Sequence, residues 1–209
     1  MWGREPINSL THFVGAILAS MGLAWMVSLA WDDLSKLITT AIFGISMILL
    51  YSASTAMHWY DGSERITRLL QKLDHAAICL LIAGTYTPLA YFLLDGLWRW
   101  GMLGLIWSLA AVGVFSKLFF FWQGHLSTLF YMAMGWTVII VTPKLLPLLP
   151  LGLLGLIVAG GVAYSIGAVI YSLKMPNFHR HFGHHEIWHL CVLGGNSFHF
   201  LAVLLYVLR

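Results

Sequence analysis

A chain of 209 residues that is 60% hydrophobic and only 9% charged, with a mean hydropathy of +0.84, has too few ionised groups to coat a soluble surface of its size. Soluble domains carry about 25% charged residues, so the composition excludes a soluble enzyme, a disordered tail and a nucleic-acid module and points to a polytopic helical membrane protein. The formal charge of +3 calls for no nucleic-acid partner, because the basic residues are scattered between apolar runs, where they set topology instead.

A spanning helix needs about 20 mostly apolar residues, and seven runs qualify. The first covers Asn8 to Trp31 and ends at Asp32-Asp33. It is too long for a signal-peptide core and is followed by many more. The second runs from Leu37 to His58 and stops at the polar stretch Asp61-Gly-Ser-Glu-Arg65. The third is read as Asp74 to Leu94, the fourth as Leu97 to Trp122, and the fifth as Leu126 to Leu146, with Pro143 and Pro147 near its end. The sixth, Leu148 to Leu173, is rich in glycine (Gly152, Gly155, Gly160, Gly161, Gly167) and so permits close helix packing. The seventh extends from His185 to Leu208. Seven helices use nearly the whole chain, so residues 1–209 are expected to form one all-α membrane domain. Cys79 and Cys191 each lie inside an apolar run and imply no disulfide framework.

Loop charges give an orientation. With a cytoplasmic N-terminus, that side holds Arg4, Arg65, Arg68, Lys72, Lys117, Lys174 and Arg180, and the other holds Lys36, Arg99, Lys144 and Arg209. Seven against four favours a cytoplasmic N-terminus and an outside C-terminus. Trp31, Trp98, Trp100 and Trp122 near run ends suit an interfacial aromatic belt.

Ionisable groups inside a membrane are expensive, so their positions carry information. His12 opens the first run, His58 closes the second, Asp74-His75 open the third, and His185 and His189 open the seventh. Alternating helix direction brings all these ends to one side of the membrane. His185 and His189 are spaced i, i+4 and share a face about 40° wide; Asn196 and His199 continue that face inward. Ser54 and His58 are also i, i+4, and Glu5, Asn8 and His12 form another aligned set. Three imidazoles with one open position for water are a catalytic zinc environment. On this reading His58, His185 and His189 are the ligands, Asp74 holds the attacking water as its hydrogen-bond partner or general base, and Ser54 orients that water or donates to an oxyanion. Glu5, Asn8, His12 and Glu186 are candidate supporting residues.

Simpler roles compete with this one. A lone histidine in a helical bundle is commonly an interhelical hydrogen-bond partner, and His75 is read as meeting the interface. His125, His179, His181 and His184 are read as solvated loop residues. Asn196 and His199 lie about 10–15 Å deeper than the proposed ligands and are read as an internal hydrogen-bonded network. His185-Glu186-Ile-Trp-His189 also satisfies the H-E-x-x-H signature of metalloproteases, with Glu186 as general base. Against a protease, no Asp or Glu follows the motif to supply a third ligand.

Glu5-x2-Asn8-x2-Thr11-His12, Ser54-x3-His58, Asp74-His75, Gly84-Thr-Tyr-Thr-Pro88, Ala133-Met-Gly-Trp136 and His185-x3-His189 occur in that order along almost the full chain. With this ordered set the chain resembles the haemolysin III branch of the progestin and adipoQ receptor superfamily, seven-helix proteins that include the adiponectin receptors. The resemblance implies a zinc ion held by the histidines matching as His58, His185 and His189, with a water between the metal and Asp74, and Ser54 as the motif serine. The receptors' long N-terminal cytosolic segment has no counterpart in this sequence, so hormone reception is not expected. The superfamily also resembles alkaline ceramidases in site chemistry, which implies hydrolysis of a membrane-lipid amide or ester and a role in membrane-lipid homeostasis. A receptor-like, regulatory or pore-forming protein with structural zinc is the alternative, and a multi-pass protein of the bacterial inner membrane is expected in either case.

Overall fold

The computed structural model describes residues 5–120, 124–179 and 182–209. Arg4, Trp122, Arg180 and His181 lie outside the described residues. Among the described residues the chain is helical throughout, apart from connections and one isolated bridge between His179 and Phe182.

The helices are α1 (Pro6–Ala30), α2 (Leu34–Trp59), α3 (Glu64–Leu93), α4 (Gly96–Phe119), α5 (His125–Gly135), a 3-10 turn (Trp136–Ile140), the short α6 (Thr142–Leu145), α7 (Leu151–Leu173) and α8 (His184–Tyr206). Six of them, α1 to α4, α7 and α8, are long and apolar enough to cross a membrane. Local chemistry sets their ends. Pro6 opens α1, where its missing N–H costs nothing. The Asp33 side chain caps α2 by accepting from the Ser35 and Lys36 amides at 2.9 and 3.0 Å.

Two elements depart from the sequence reading. Helix α3 starts at Glu64, a further ten residues upstream of Asp74. Arg65, Arg68 and Lys72 interrupt the apolar run but not the helix, because Ile66, Leu69, Leu70 and Leu73 keep a helical spacing among them. The expected fifth helix is broken into α5, the 3-10 turn and α6. The Tyr86 hydroxyl, from α3, donates to the Gly135 carbonyl at 2.6 Å and accepts from the Val138 amide at 2.8 Å and from Thr137 Oγ1 at 3.1 Å. One side chain thus supplies partners for backbone groups near the break, and Pro143 brings no amide to the next turn.

One apolar cluster joins α1, α2, α3 and α8 through Met26, Phe43, Leu50, Leu81, Val203 and Leu204. A second joins α3, α4 and α5 through Cys79, Ala83, Ile106, Ala110, Tyr131 and Met134. The outward faces stay apolar as well: Leu97 is 87% and Leu151 86% exposed, as a lipid-facing surface requires and a watery one would not tolerate. Gly152, Gly160 and Gly167 on α7 permit the close approach expected of that helix, whereas Gly155 and Gly161 face open space. A Cβ on Gly167 would sit 2.6 Å from Cys191 Cβ, and one on Gly160 would overlap the His199 ring.

Three side chains counted as loop charges or solvated loop residues belong to helices. Lys117 lies in the last turn of α4, fully buried, donating to Ser127 Oγ with its ammonium 5.3 Å from the Tyr131 ring centroid. It is not a solvated topology charge. His125 and His184 are the first residues of α5 and α8, and His184 Nδ1 lies 2.7 Å from Asn177 Oδ1.

Candidate metal centre

The second-to-last residue of α2, the first two turns of α8, the start of α1 and the middle of α3 converge at one end of the bundle. His58 comes from α2, His185 and His189 from α8. Their ring centroids form a nearly equilateral triangle, with His58–His185 at 4.9 Å, His58–His189 at 4.8 Å and His185–His189 at 5.0 Å. The rings meet edge to face, and one nitrogen from each lies within 4.8 Å of the others. The i, i+4 spacing on α8 makes this possible.

The supporting contacts orient one candidate ligand clearly. His58 Nδ1 lies 2.7 Å from Glu5 Oε2. An ionised carboxylate only accepts, so Nδ1 carries a proton, and in the neutral ring Nε2 then holds the lone pair. That Nε2 is buried with no hydrogen-bond partner, and buried polar atoms are rarely left so. A carboxylate behind an imidazole whose other nitrogen faces a shared centre is the usual support of a metal-binding histidine. Hydrogen bonding to His58, more than any other influence, holds the Glu5 carboxyl down at about 2, against the opposing effect of burial. Asn8 Nδ2 also donates to Glu5 Oε2 at 3.0 Å, and the Glu5 amide donates to the His58 carbonyl at 3.1 Å. Glu5 and Asn8 therefore sit behind the histidines. His12, also from α1, is stacked on His189.

Asp74 is buried on α3, with His58 and Ser54 of α2 as its electrostatic neighbours. Neighbouring His75 places Nδ1 2.8 Å from the Gln71 carbonyl and 3.9 Å from Asp74 Oδ2. Glu186, by contrast, turns back to accept from the Gly183 amide at 2.7 Å, capping α8. Its carboxylate serves the helix start. The deeper network has the expected form: the Tyr164 hydroxyl donates to Asn196 Oδ1, and Asn196 Nδ2 donates to the Tyr51 hydroxyl, both at 2.6 Å. His199 Nε2 lies 3.3 Å from the Ile157 carbonyl.

Two neighbours were missed as site residues. Thr11 Oγ1 lies 3.5 Å from His189 Nδ1, and its place beside His12 in the first motif was a usable signal. Tyr171, on α7, packs edge-on against His185 with centroids 5.6 Å apart, and nothing in its local sequence marks it.

Three convergent imidazoles, His58 and His189 buried and His185 half-buried, with an unpartnered nitrogen on His58, are the donor set that suits a first-row divalent ion such as zinc. The fold and this cluster define a multi-pass helical membrane protein with a histidine-built polar centre near one end of its bundle. The description haemolysin-III related matches residues 1–200. Over 208 residues the chain is 39% identical to Hemolysin-3 of Bacillus cereus, covering 98% of this chain and 92% of that protein. It is 37% identical over 213 residues to a Hemolysin-3 homolog of Bacillus subtilis (strain 168), covering 99% and 95%. A more distant similarity, 27% over 213 residues, links it to the human monocyte to macrophage differentiation factor, covering 99% and 85%. The chain belongs to the haemolysin III family. With bacterial relatives of that kind and six membrane-capable helices, it is a multi-pass protein of the bacterial inner membrane.

Proposed function

We propose that the protein is a zinc-dependent hydrolase of a membrane-lipid amide or ester, acting at the cytoplasmic end of a seven-span bundle. The observation that carries the reading is the His58/His185/His189 triangle, backed by Glu5, with a buried carboxylate and hydroxyl beside it. On this reading the three histidines hold zinc, which when bound polarises a carbonyl and lowers the pKa of a water. Asp74 accepts the proton of the attacking water on a carboxylate oxygen and passes it to the leaving amine or alkoxide. Ser54 keeps that carboxylate oriented and has a hydroxyl to offer a developing oxyanion. The apolar helices around the site take the lipid tails while the head group stays near water.

The seventh span is supplied by the broken segment from His125 to Leu145. Eleven α-helical residues, five 3-10 residues and four more helical residues reach roughly 30 Å at about 1.5 and 2.0 Å per residue, the thickness of a hydrocarbon core. Non-helical backbone at that depth is tolerable where protein covers it, and Tyr86 provides such cover. Seven spans put the N-terminus inside and the C-terminus outside, with Arg65, Arg68 and Lys72 on the cytoplasmic side.

A second, non-enzymatic reading is favoured by the relatives' printed name: a pore-forming or regulatory membrane protein whose metal is structural. Elemental analysis of purified wild type and of the His185→Ala/His189→Ala variant, with mass spectrometry of fatty acid released from a lipid extract, separates the two. One zinc per chain, lost in the variant together with fatty-acid release, is the expected result. Zinc without release, accompanied by leakage from liposomes, would replace the hydrolase reading with the pore. No zinc in the wild type would remove the site.

A further inference from the structure

The ligands differ in what holds them. His58 is tied to a carboxylate at 2.7 Å, whereas the polar neighbour of His189 Nδ1 is Thr11 Oγ1 at 3.5 Å, the outer limit of a hydrogen bond. Against the flat of the His189 ring lies another imidazole. The His12 and His189 centroids are 3.8 Å apart and their planes 21° from parallel. His12 is only 3% exposed and meets Tyr51 edge-on at 5.1 Å, and Tyr51 is tied to Asn196 by the 2.6 Å hydrogen bond. Neither nitrogen of His12 has a hydrogen-bond partner, so what the ring contributes to its neighbours is its face.

We propose that His12 is the positioning residue for His189, fixing the ligand ring by stacking in place of the carboxylate that fixes His58. A metal bonds an imidazole nitrogen in the plane of the ring at about 2.0–2.1 Å. Two nearly parallel rings 3.8 Å apart therefore do not direct their nitrogens to one ion, so His12 is not a fourth ligand. A cation on His189 also draws electron density from that ring, which strengthens its attraction to the electron-rich face behind it. Glu5 and His12 stand two turns apart on one side of α1, so a single helix pre-sets ligands carried by two others, α2 and α8. Ordering the rings before an ion arrives removes a rotational cost from binding.

The inference rests on His189 being a ligand, and the test is built so that either idea can fail alone. Wild type, His12→Phe and His12→Leu are compared in lipid nanodiscs. In the first arm, metal-free protein carrying isotope-labelled histidine gives NMR ring signals, with His189 assigned by loss of its peak in His189→Gln. One sharp His189 signal, shielded by the neighbouring ring, is expected in wild type and His12→Phe; in His12→Leu it should lose that shielding and broaden. In the second arm, Co2+ is titrated and its visible absorption read. His12→Leu should bind about 10-fold more weakly, the low end of what loss of a ligand's support costs, while His12→Phe stays near wild type. A phenylalanine variant as impaired as the leucine one would mean that His12 acts through its nitrogens, and would overturn the proposal. So would a leucine variant indistinguishable from wild type in the NMR arm. Wild type that binds no Co2+ but shows the expected NMR pattern would sink the metal reading and leave the stacking role standing.

Discussion

Two buried polar regions share the inner face of α8, and they end differently. Around Asn196 the Tyr164 hydroxyl meets its carbonyl oxygen and its amide meets Tyr51, while nearby His199 Nδ1 is buried without a partner. Around His58, His185 and His189 the imidazoles crowd together, and His58 Nε2 is left buried without a partner. Hydrogen bonds of that kind hold helices together. A convergent set with an unused lone pair is costly unless something else completes it. What sets the two apart is the convergence of three imidazoles, which makes the histidine triangle the candidate binding centre.

The contrast is most directly broken by removing a ligand. His189→Ala should lower bound zinc from one per chain to none while the protein stays folded, checked by elemental analysis beside circular dichroism. Zinc retained at full stoichiometry would mean that the triangle is not the site. Glu5→Gln comes next. It keeps the shape but replaces a charged acceptor behind His58, and metal affinity should fall about 10- to 100-fold, read by competition with a chelator. An unchanged affinity would reduce Glu5 to a tie between α1 and His58 with no part in holding metal.

Asn196→Leu tests the other side of the comparison. It strands the Tyr51 and Tyr164 hydroxyls in the bundle, which should cost about 1–3 kcal/mol, seen as a lowered melting temperature in detergent with bound zinc unchanged. If zinc falls instead while stability holds, the deeper network belongs to the site and the separation drawn above is wrong.

Legibility in the sequence follows the same division. Residues whose roles depend on helical phase were readable: the i, i+4 pairs at Ser54/His58 and His185/His189, and the Glu5–Asn8–His12 face, need only a helix to align them. Asn196 was readable as an internal hydrogen-bonding residue for the same reason. What hydropathy could not supply was the course of α3 above Asp74, where an amphipathic turn carries charges without ending the helix. It also hid the break in the fifth segment, which depends on a tyrosine about fifty positions away in sequence. Lys117 illustrates the opposite error. A charge near the end of the fourth run was counted with the loop charges, but its ammonium is folded onto Ser127 and Tyr131.

Glu186 gives the smallest expected effect. The sequence offers it as a metalloprotease base within His185-Glu186-Ile-Trp-His189, but its carboxylate accepts from the Gly183 amide and closes the first turn of α8. Glutamine retains an acceptor oxygen for that amide and gives up only a charge near the helix start, worth about 0.3–1 kcal/mol. Glu186→Gln should therefore keep its zinc and most of any lipid hydrolysis, with only a slight drop in melting temperature. A general base replaced by its amide cannot take a proton, so complete loss of hydrolysis with zinc and fold intact would return the catalytic carboxylate from Asp74 to Glu186.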